Sequence, residues 1–327
     1  MRAVVIEAPG RVAVTDVDPA APGRGEVAVA VERVGICATD VHILHGGFPT
    51  ATYPLTPGHE VAGRISKLGS DVEGLAVGDP VVIDPGLPCL RCRLCREGRL
   101  NLCEHRQAIG VTRTGGAAES VIVPAGNCHR VLAGTPDGAA VLAEPLACVV
   151  HALDLVRSPQ GQDVLIYGAG AIGVLAAMVA RAWGAASVSF VELADGRRQR
   201  AGTLGRSAAS ADGLGGADWG LVIDATGAVP AIRDGLGRLR RGGTFLQIGV
   251  AAPDAVVEVR PYDLFQRELT MVGSLTTRYS FPRALSLLRE GAIDASLLLD
   301  APLALDRYAE AIDSSGHSET LKVTVAP

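Results

Sequence analysis

The stretch DVLIYGAGAIG, residues 163–173, decides the fold of the second half of the chain. An apolar run precedes glycines at positions 168, 170 and 173, and an alanine-rich segment follows them. A G-x-G-x-x-G turn between a strand and a helix is typical of dinucleotide-binding proteins. Its first glycine permits the tight turn, its second lets the backbone approach a pyrophosphate, and its third lets the helix pack closely on the strand. Phosphates then bind at the helix N-terminus. The stretch therefore predicts a dinucleotide at Gly168, Gly170 and Gly173.

Strand-like and helical segments alternate after this stretch. The apolar runs SVSFVE, GLVIDATG and TFLQIGV are separated by helical patterns, which predicts βαβ units on a parallel sheet. The strand SVSFVE ends at Glu192, whose carboxylate can accept hydrogen bonds from both ribose hydroxyls. It would also repel a 2′-phosphate, which favours NAD over NADP. Arg197 and Arg198 keep NADP open, although an arginine there can also lie over the adenine face.

Residues 1 to about 145 have a different texture, with short β-like runs such as VAVAVERVGI and ESVIVP between glycines and prolines. This half is expected to be mostly β, with little helix. Near the C-terminus, FPRALSLLREG and RYAEAI predict helices, and LKVTVAP predicts a last strand that could return to the first lobe. At 327 residues, two lobes on one polypeptide are expected.

The composition argues against several classes of function. The net charge is −5 and no run of five or six like charges occurs, so a nucleic acid partner is not expected. No apolar run reaches the ~18 residues of a membrane span, and the N-terminus does not resemble a secretory signal. We therefore expect a cytoplasmic protein without a membrane partner. In that compartment clustered cysteines bind metal or act in catalysis more often than they form disulfides.

The segment PCLRCRLCREGRLNLCE, residues 88–104, contains four of the seven cysteines, namely Cys89, Cys92, Cys95 and Cys103. Four thiolates saturate a tetrahedral zinc and leave no position for a substrate. The segment is therefore interpreted as a structural zinc site, in which the metal replaces a hydrophobic core in an arginine-rich lobe.

A second group of polar residues has the chemistry of a catalytic site. The segment GICATDVH contains Cys37, Thr39, Asp40 and His42, and TPGHEVAG contains His59 and Glu60. A thiolate and an imidazole form a zinc pair, and a carboxylate would complete the three-ligand set that leaves one position open. Each residue alone also has a structural interpretation, as a small buried thiol or a hydrogen-bonded core histidine.

Taken together, these motifs resemble those of the zinc-dependent medium-chain dehydrogenases/reductases, closest to the sorbitol (polyol) dehydrogenase branch, over essentially the whole chain. The resemblance rests on the GHExxGxxxxxG pattern from Gly58 to Gly69, the Cys37 loop, the four cysteines, AEPLA at 143–147 and the glycine loop. It implies an α/β protein with a GroES-like, mostly-β catalytic domain and a Rossmann domain, a doubly wound parallel sheet that binds NAD. The implied limits are 1–147 and 285–327 for the former, with a zinc lobe at about 86–106, and 148–284 for the latter.

The resemblance also implies roles for individual residues. Cys37 and His59 would be ligands of a catalytic zinc, and Glu60 a neighbour that binds it directly or through water. Glu144 falls where the polyol branch has a glutamate ligand, and Cys148, one helical turn further on, is the rival ligand. Thr39 is expected to accept the alcohol proton and pass it through the cofactor ribose to His42.

The activity implied is hydride transfer between NAD and a secondary alcohol, such as a polyol, cyclitol, amino-polyol or sugar alcohol, with one catalytic and one structural zinc per chain. The resemblance adds Ile172, Ile248, Val250 and Leu275 to the cofactor-binding residues. It implies a homodimer or homotetramer, with LTMVGS as a candidate edge strand. An L-threonine 3-dehydrogenase-like enzyme and a zinc-independent NADPH quinone or enone reductase of the same fold are the alternatives.

Three departures from the polyol pattern leave the individual substrate open. After MVGS, the branch has an Arg-Tyr pair that contacts cofactor and substrate, but here Thr276 and Thr277 stand before Arg278 and Tyr279. Ala117 and Ser120 replace aromatic residues, which would widen the pocket. The segment 201–218 is short and rich in small residues, so the sheet is expected to lose or trim an element there.

Overall fold

Short runs of β-branched residues form the strands of the first half of the chain, and alanine-rich stretches form helices in the second half. The structure, a computed structural model, describes residues 1–48, 50–214, 218–315 and 321–327. Its strands are β1 Arg2–Ala8, β2 Arg11–Asp16, β3 Glu26–Gly35, β4 Glu60–Leu68, β5 Pro80–Ile83, β6 Gly86–Leu87, β7 Gln107–Ala108, β8 Ser120–Pro124, β9 Cys128–Arg130, β10 Asp163–Tyr167, β11 Ser187–Val191, β12 Arg206–Ala208, β13 Trp219–Asp224, β14 Leu239–Gln247, β15 Thr270–Gly273, β16 Leu303–Ala304 and β17 Thr324–Ala326.

The α-helices are α1 Ala38–Leu44, α2 Arg93–Arg96, α3 Ala143–Asp154, α4 Ala171–Ala182, α5 Asp195–Ala201, α6 Val229–Gly237, α7 Pro261–Arg267, α8 Phe281–Arg289 and α9 Tyr308–Ser315. Short 3₁₀ helices cover Leu100–Leu102, Ala125–Asn127, Ala139–Leu142, Ala211–Leu214, Ala295–Leu297 and Leu305–Arg307. Helices α8 and α9 lie where the C-terminal patterns predict them, whereas α1 lies in the half for which little helix is expected.

The chain divides into two units. The first consists of Met1–Glu144, Thr277–Gly291 and Leu299–Pro327, and the second of Pro145–Thr276 and Ala292–Leu298. The first unit is therefore discontinuous, and its C-terminal strand β17 pairs antiparallel with β3. The domain limits after residues 147 and 284 stay a prediction.

The first unit is built on a seven-stranded sheet with the order β16-β17-β3-β4-β5-β9, in which β8 pairs with β3. Val29, Ile65 and Ile83 of three of these strands lie in the buried core. β1 and β2 form a separate antiparallel pair. β6 pairs with β7, Gly86 opposite Ala108 and Leu87 opposite Gln107, and this two-residue ladder closes the base of the four-cysteine lobe.

The second unit is a six-stranded sheet with the order β12-β11-β10-β13-β14-β15, in which every neighbouring pair is parallel. Counted along the chain, this is the order 3-2-1-4-5-6 of a doubly wound dinucleotide-binding sheet. Leu165, Val222 and Phe245 of its central strands are buried in one core. After the end of α5 at Ala201, the described part of the segment 201–218 forms the three-residue strand β12 and one 3₁₀ helix, and residues 215–217 lie outside the described ones.

Candidate functional site

Three predicted metal ligands meet in the first unit. One donor atom each from Cys37, His59 and Glu60 lies within 4.8 Å of the other two. The β3–β4 ladder brings them together, because Gly35 at the end of β3 is paired with Glu60 at the start of β4. Thiolate, imidazole and carboxylate are the usual ligands of zinc, at distances of about 2.0–2.3 Å from the metal. The three donors therefore fit one zinc ion.

Asp40 links the two segments that carry these donors. Its side chain is fully buried, and its carboxylate accepts hydrogen bonds from the backbone N–H of Cys37 at 2.9 Å and of Gly58 at 3.3 Å. Because Asp40 is the third residue of α1, the bond to Cys37 also caps this short helix. Oδ1 of Asp40 lies 3.7 Å from Nδ1 of His59, which has no hydrogen-bond partner among the described residues.

The charges around His59 favour a cation at this position. Burial lowers the pKa of His59, but the negative charges of Asp40 and Cys37 raise it by more, so that the pKa lies well above the usual 6.5. A metal ion binds the neutral imidazole, so that metal binding here would release a proton. The negative charges that keep the buried imidazole protonated would also stabilise a metal cation at this position.

Lys322 is the buried cation of this site. Its ammonium group donates a hydrogen bond to the carbonyl oxygen of Ile36 at 3.0 Å and forms an ion pair with both carboxylate oxygens of Glu60. Burial lowers the pKa of Lys322, but the charges of Glu60, Cys37 and Glu144 raise it by more, so that its pKa lies above the usual 10.5.

Thr39 and His42 lie on α1, directly after Cys37. Oγ1 of Thr39 is 3.7 Å from the sulfur of Cys37, so that the hydroxyl lies beside the candidate metal position. His42 is one helical turn further on and is exposed. This arrangement is compatible with a path from a half-buried hydroxyl to a solvent-accessible imidazole.

Glu144 and Cys148, the rival ligands, both lie on α3. Glu144 is buried, and its charge acts on Lys322. Neither residue belongs to the group of donors within 4.8 Å of one another that the described residues form at Cys37. Their role at the metal stays a prediction.

The four cysteines of the zinc lobe converge in the same way. One sulfur each from Cys89, Cys92, Cys95 and Cys103 lies within 4.8 Å of the others. Two of these sulfurs accept hydrogen bonds from backbone N–H groups. The sulfur of Cys89 accepts one from Cys92 at 3.4 Å. The sulfur of Cys103 accepts one from Cys89 at 3.2 Å and one from His105 at 3.4 Å. Such amide donors stabilise thiolates.

Three of these thiols, those of Cys89, Cys92 and Cys95, have shifted pKa values. Hydrogen bonds from the backbone of Arg91 and Cys92 lower the pKa of the Cys89 thiol to about 6, and similar bonds lower the pKa of Cys92. Burial raises the pKa of Cys95 to about 12. A thiolate at Cys95 therefore needs a neighbouring cation, which a tetrahedral zinc would supply.

The glycine loop of the second unit has the geometry of a phosphate-binding turn. It connects β10 to α4, and Gly168 adopts a left-handed φ of +92°. A Cβ on Gly173 would lie 1.9 Å from the carbonyl oxygen of Gly168, so only glycine permits α4 to pack this closely. A Cβ on Gly170 would meet no atom within 4 Å, which leaves space above the loop for a ligand. Ile172 is half-buried in the first turn of α4.

Glu192 follows β11 and faces this loop. Its two carboxylate oxygens accept hydrogen bonds from the backbone N–H of Ala169 at 2.7 Å and of Ala194 at 2.8 Å. The guanidinium of Arg198 donates to the carbonyl oxygens of Glu192 and Leu193 at 3.0 Å and pairs with Asp195. Arg197 is half-buried on α5. The end of β11 therefore presents a carboxylate to the glycine loop.

The other predicted cofactor residues follow β14 and β15. The fully buried Asp224 accepts hydrogen bonds from Gly227 N–H at 2.8 Å and from the side chain of Gln247 at 2.6 Å, which ties the loop after β13 to the end of β14. In the loop after β14, Ile248 is half-buried and Val250 is 87% exposed. Leu275, after β15, is 52% exposed. Exposed aliphatic side chains on a rigid loop are suited to contact a flat ring.

Three of the residues that depart from the polyol pattern, Arg278, Ala117 and Ser120, have contacts within the first unit. The side chain of Arg278 donates from Nε to the carbonyl oxygen of Gly98 at 2.9 Å, so that it is bound to the four-cysteine lobe. Ala117 is fully buried, and its N–H donates to the carbonyl oxygen of Pro57 at 2.9 Å. Ser120 is the first residue of β8, opposite Ala30 of β3.

Sequence reasoning missed three residues of the Cys37 site. The sequence motifs assign no role to Lys322 or Tyr308, and they place Asp40 beside Cys37 without indicating its function. Tyr308 is buried on α9, and burial, followed by the charges of Asp40 and Cys37, raises its pKa well above the usual 10. A signal for Lys322 exists in the composition, because the chain contains only two lysines among its 30 basic Lys and Arg residues.

In the described residues, no helix combines the length and the apolar character needed to cross a membrane.

Comparison with known proteins agrees with this architecture. Residues 23–133 match the family model of the alcohol dehydrogenase GroES-like domain, and residues 171–290 match that of the zinc-binding dehydrogenases. D-altritol 5-dehydrogenase of Agrobacterium fabrum is 37% identical over 306 residues, 91% of this chain and 88% of the relative. D-arabinitol dehydrogenase 1 of Uromyces fabae is 34% identical over 343 residues, 100% of this chain and 97% of the relative.

A solved structure covers the chain throughout. A zinc-binding dehydrogenase of Sinorhizobium meliloti 1021, with NADP bound, superimposes with a TM-score of 0.95 at 33% identity, over 100% of this chain and 99% of that one. The predicted fold, a GroES-like domain with a Rossmann-type parallel sheet, is thereby confirmed, as is the resemblance drawn from the motifs. The chain belongs to the zinc-binding dehydrogenases of the medium-chain dehydrogenase/reductase family, in their polyol branch, and is an oxidoreductase.

Proposed function

We propose that the protein is a zinc- and NAD-dependent dehydrogenase that oxidises a secondary alcohol of the polyol class to a ketone, and that also catalyses the reverse reduction. The observation that carries the proposal is the group of donor atoms from Cys37, His59 and Glu60 within 4.8 Å of one another. The relatives named for D-altritol and D-arabinitol support a polyol as substrate.

Two zinc ions per chain are part of the proposal. Cys37, His59 and Glu60 would hold the catalytic ion, with Glu144 as a further carboxylate from α3 and Cys148 as a packing residue. The four cysteines of the lobe would hold the structural ion. When bound at Cys37, zinc supplies a Lewis acid that lowers the pKa of the substrate hydroxyl. Asp40 would orient this site, because its carboxylate binds the backbone N–H of Cys37 and that of Gly58, the residue before His59.

The chain's own hydroxyl and imidazole would carry the proton. Thr39 lies 3.7 Å from the sulfur of Cys37, so its oxygen is beside the place where a substrate hydroxyl would bind. Oγ1 of Thr39 accepts the alcohol proton and releases its own hydroxyl proton towards the exposed His42, which passes a proton to solvent. General acid–base catalysis of this kind typically contributes about 10²–10⁴-fold to a rate.

The cofactor proposed is NAD, which supplies the hydride acceptor. The carboxylate of Glu192, held by two backbone N–H groups beside the glycine loop, favours ribose hydroxyls over a 2′-phosphate. Arg198 is engaged with Asp195 and two carbonyl oxygens, which reduces its capacity to bind such a phosphate. Arg197 would lie near the adenosine, and Ile172, Ile248, Val250 and Leu275 would contact the cofactor. Because a similar structure holds NADP, both cofactors belong in the test.

A homodimer or homotetramer in the cytoplasm completes the proposal. β15 is an edge strand of the parallel sheet, and its residue Met271 is 45% exposed, which supports pairing of two copies through this strand. None of the seven cysteines, all of them in the described part of the chain, is in a disulfide, as suits a reducing compartment.

The deciding experiment combines metal analysis, cofactor titration and a substrate screen on the purified protein. We expect about two zinc ions per chain, tighter binding of NADH than of NADPH, and NAD reduction with polyols, cyclitols, amino-polyols or sugar alcohols. Reduction of NAD by L-threonine alone would favour the amino-alcohol dehydrogenase. Activity of a metal-free protein with NADPH and a quinone or enone would overturn the proposal.

A further inference from the structure

Lys322 occupies a position that the proposed chemistry does not yet explain. It is 5% exposed, and Glu60, its partner, is 1% exposed. Its ammonium group donates hydrogen bonds to the carbonyl oxygen of Ile36 and to Oε1 of Glu60. Oε2 of Glu60 forms an ion pair with the same group but has no hydrogen-bond partner among the described residues. Burying such a pair costs desolvation free energy, and an apolar pair would often stabilise the fold as well or better. Its presence therefore points to a role beyond stability.

The basic residue is a lysine in a chain that otherwise uses arginine. Of the 30 Lys and Arg residues only Lys67 and Lys322 are lysines, and Lys67 is exposed. Arginine presents a planar fork of donors, whereas lysine presents a compact point charge. A compact charge can hold a carboxylate from one side and leave its remaining lone pairs available to a second cation.

The neighbouring strand makes room for this pair. A Cβ on Gly35 would lie 1.9 Å from Oε2 of Glu60 and 3.0 Å from Cε of Lys322. Glu60 therefore lies over a gap in β3. Its carboxylate pairs with the ammonium group, and one of its oxygens lies within 4.8 Å of the donor atoms of Cys37 and His59.

We propose that Lys322 is a positioning residue that restrains the carboxylate of Glu60, so that the bond of Glu60 to the catalytic metal stays reversible and a position can open for the substrate. This inference rests on the proposed function. A catalytic zinc needs one position free for substrate. Without the ammonium group, the buried Glu60 carboxylate would lose its ion-pair partner, and it would then stay bound to the metal.

The test compares Lys322→Met with Lys322→Arg, and uses Lys67→Met as the control with the same change at an exposed lysine. In the cobalt-substituted enzymes, we expect Lys322→Met to have weaker visible cobalt bands than wild type, because coordination number rises. The four-cysteine contribution cancels in the difference spectrum. We expect slower release of the catalytic metal to a chelator and a fall in kcat of about 10–100-fold. Lys67→Met should match wild type, and Lys322→Arg should restore much of the cobalt spectrum.

A double variant separates positioning from a structural role. If Lys322 acts through Glu60, then Lys322→Met combined with Glu60→Gln should regain the cobalt spectrum of the open site, since the neutral amide is a poor ligand. If Lys322→Met fails to fold, ¹⁵N-lysine labelling of wild type gives two Nζ signals, assigned with Lys67→Arg. Zinc loading should shift the Lys322 signal alone.

The outcomes distinguish this inference from the proposed function. A wild-type enzyme without metal at Cys37 would overturn both. If metal is present at Cys37 but Lys322→Met has the cobalt spectrum and metal release rate of wild type, the inference alone is overturned. The same holds if zinc does not shift the Nζ signal of Lys322.

Discussion

Gly35 and Glu60 are paired across the β3–β4 ladder, and the carboxylate of Glu60 occupies the space that a side chain on residue 35 would need. The distance from a Cβ at residue 35 to Oε2 of Glu60 would be 1.9 Å. A backbone position 25 residues away in sequence thus sets where a candidate metal ligand can lie.

Gly35→Ala should therefore impair catalysis more than folding. The methyl group forces the Glu60 carboxylate to move by an ångström or more, and misplacement of that size can cost about 10²-fold in rate. Overpacking should lower stability by about 1–3 kcal/mol. Steady-state kinetics and urea unfolding check this, with Gly126→Ala as the control, because a Cβ there meets no atom within 4 Å. Wild-type kcat in Gly35→Ala would show that the position of Glu60 is unimportant.

Thr39→Val should lower kcat while metal content stays that of wild type. The valine keeps the shape but cannot accept the alcohol proton, so a loss of about 10²–10⁴-fold is expected. The measurements are turnover and zinc per chain. Thr15→Val, on β2, is the matched control and should be fully active. Unchanged turnover in Thr39→Val would exclude the proposed proton path.

Glu192→Ala should weaken NAD binding and reduce the preference for NAD over NADP. It removes two hydrogen bonds to the backbone N–H groups of Ala169 and Ala194 and the charge that repels a 2′-phosphate. Since a hydrogen bond to a charged group contributes about 1.5–3 kcal/mol, kcat/KM for NAD should fall by about tenfold or more. The ratio of kcat/KM for the two cofactors is the decisive quantity. An unaltered ratio would mean that another residue selects the cofactor.

Cys92→Ser should lose the structural zinc before it loses the catalytic one. The lobe is held by the four sulfurs and a two-residue ladder at its base, so loss of the metal should loosen it. We expect about one zinc per chain in place of two, and a lower Tm. Cys128→Ser, a change outside both cysteine groups of the described residues, should retain both ions. A well-folded Cys92→Ser variant with full zinc content would contradict the structural assignment.

Tyr167→Phe should destabilise the protein at neutral pH and reduce its alkaline sensitivity. The hydroxyl of Tyr167 donates a 2.6 Å hydrogen bond to Asp234, and burial, followed by the charge of Asp234, raises its pKa far above the usual 10.0. A raised pKa means that this contribution to stability is complete below pH 10 and is lost as pH rises above it. Loss of the bond should cost about 1.5–3 kcal/mol. Urea unfolding between pH 7 and 11 should show the gap between variant and wild type narrowing above pH 10.

Several features of the fold could be read from the sequence because they depend on local spacing. The glycines of residues 168–173 lie within one strand, turn and helix, and their spacing requires that turn. Cys89, Cys92 and Cys95 are three residues apart, so α2 and its preceding turn bring their sulfurs together. The helix α1 was missed because its seven residues are too few for a hydrophobic period to stand out.

The sequence thus defined the family, the glycine loop, the cysteine lobe and the candidate metal ligands, all of which follow from side-chain chemistry at short separations. It could not define the surroundings of Glu60. Lys322 is 262 residues away from Glu60, and the two meet because β17 pairs with β3 and β3 with β4. Strand register over such separations is set by the packing of the whole unit, so the partner of a buried carboxylate becomes visible only when the chain has folded.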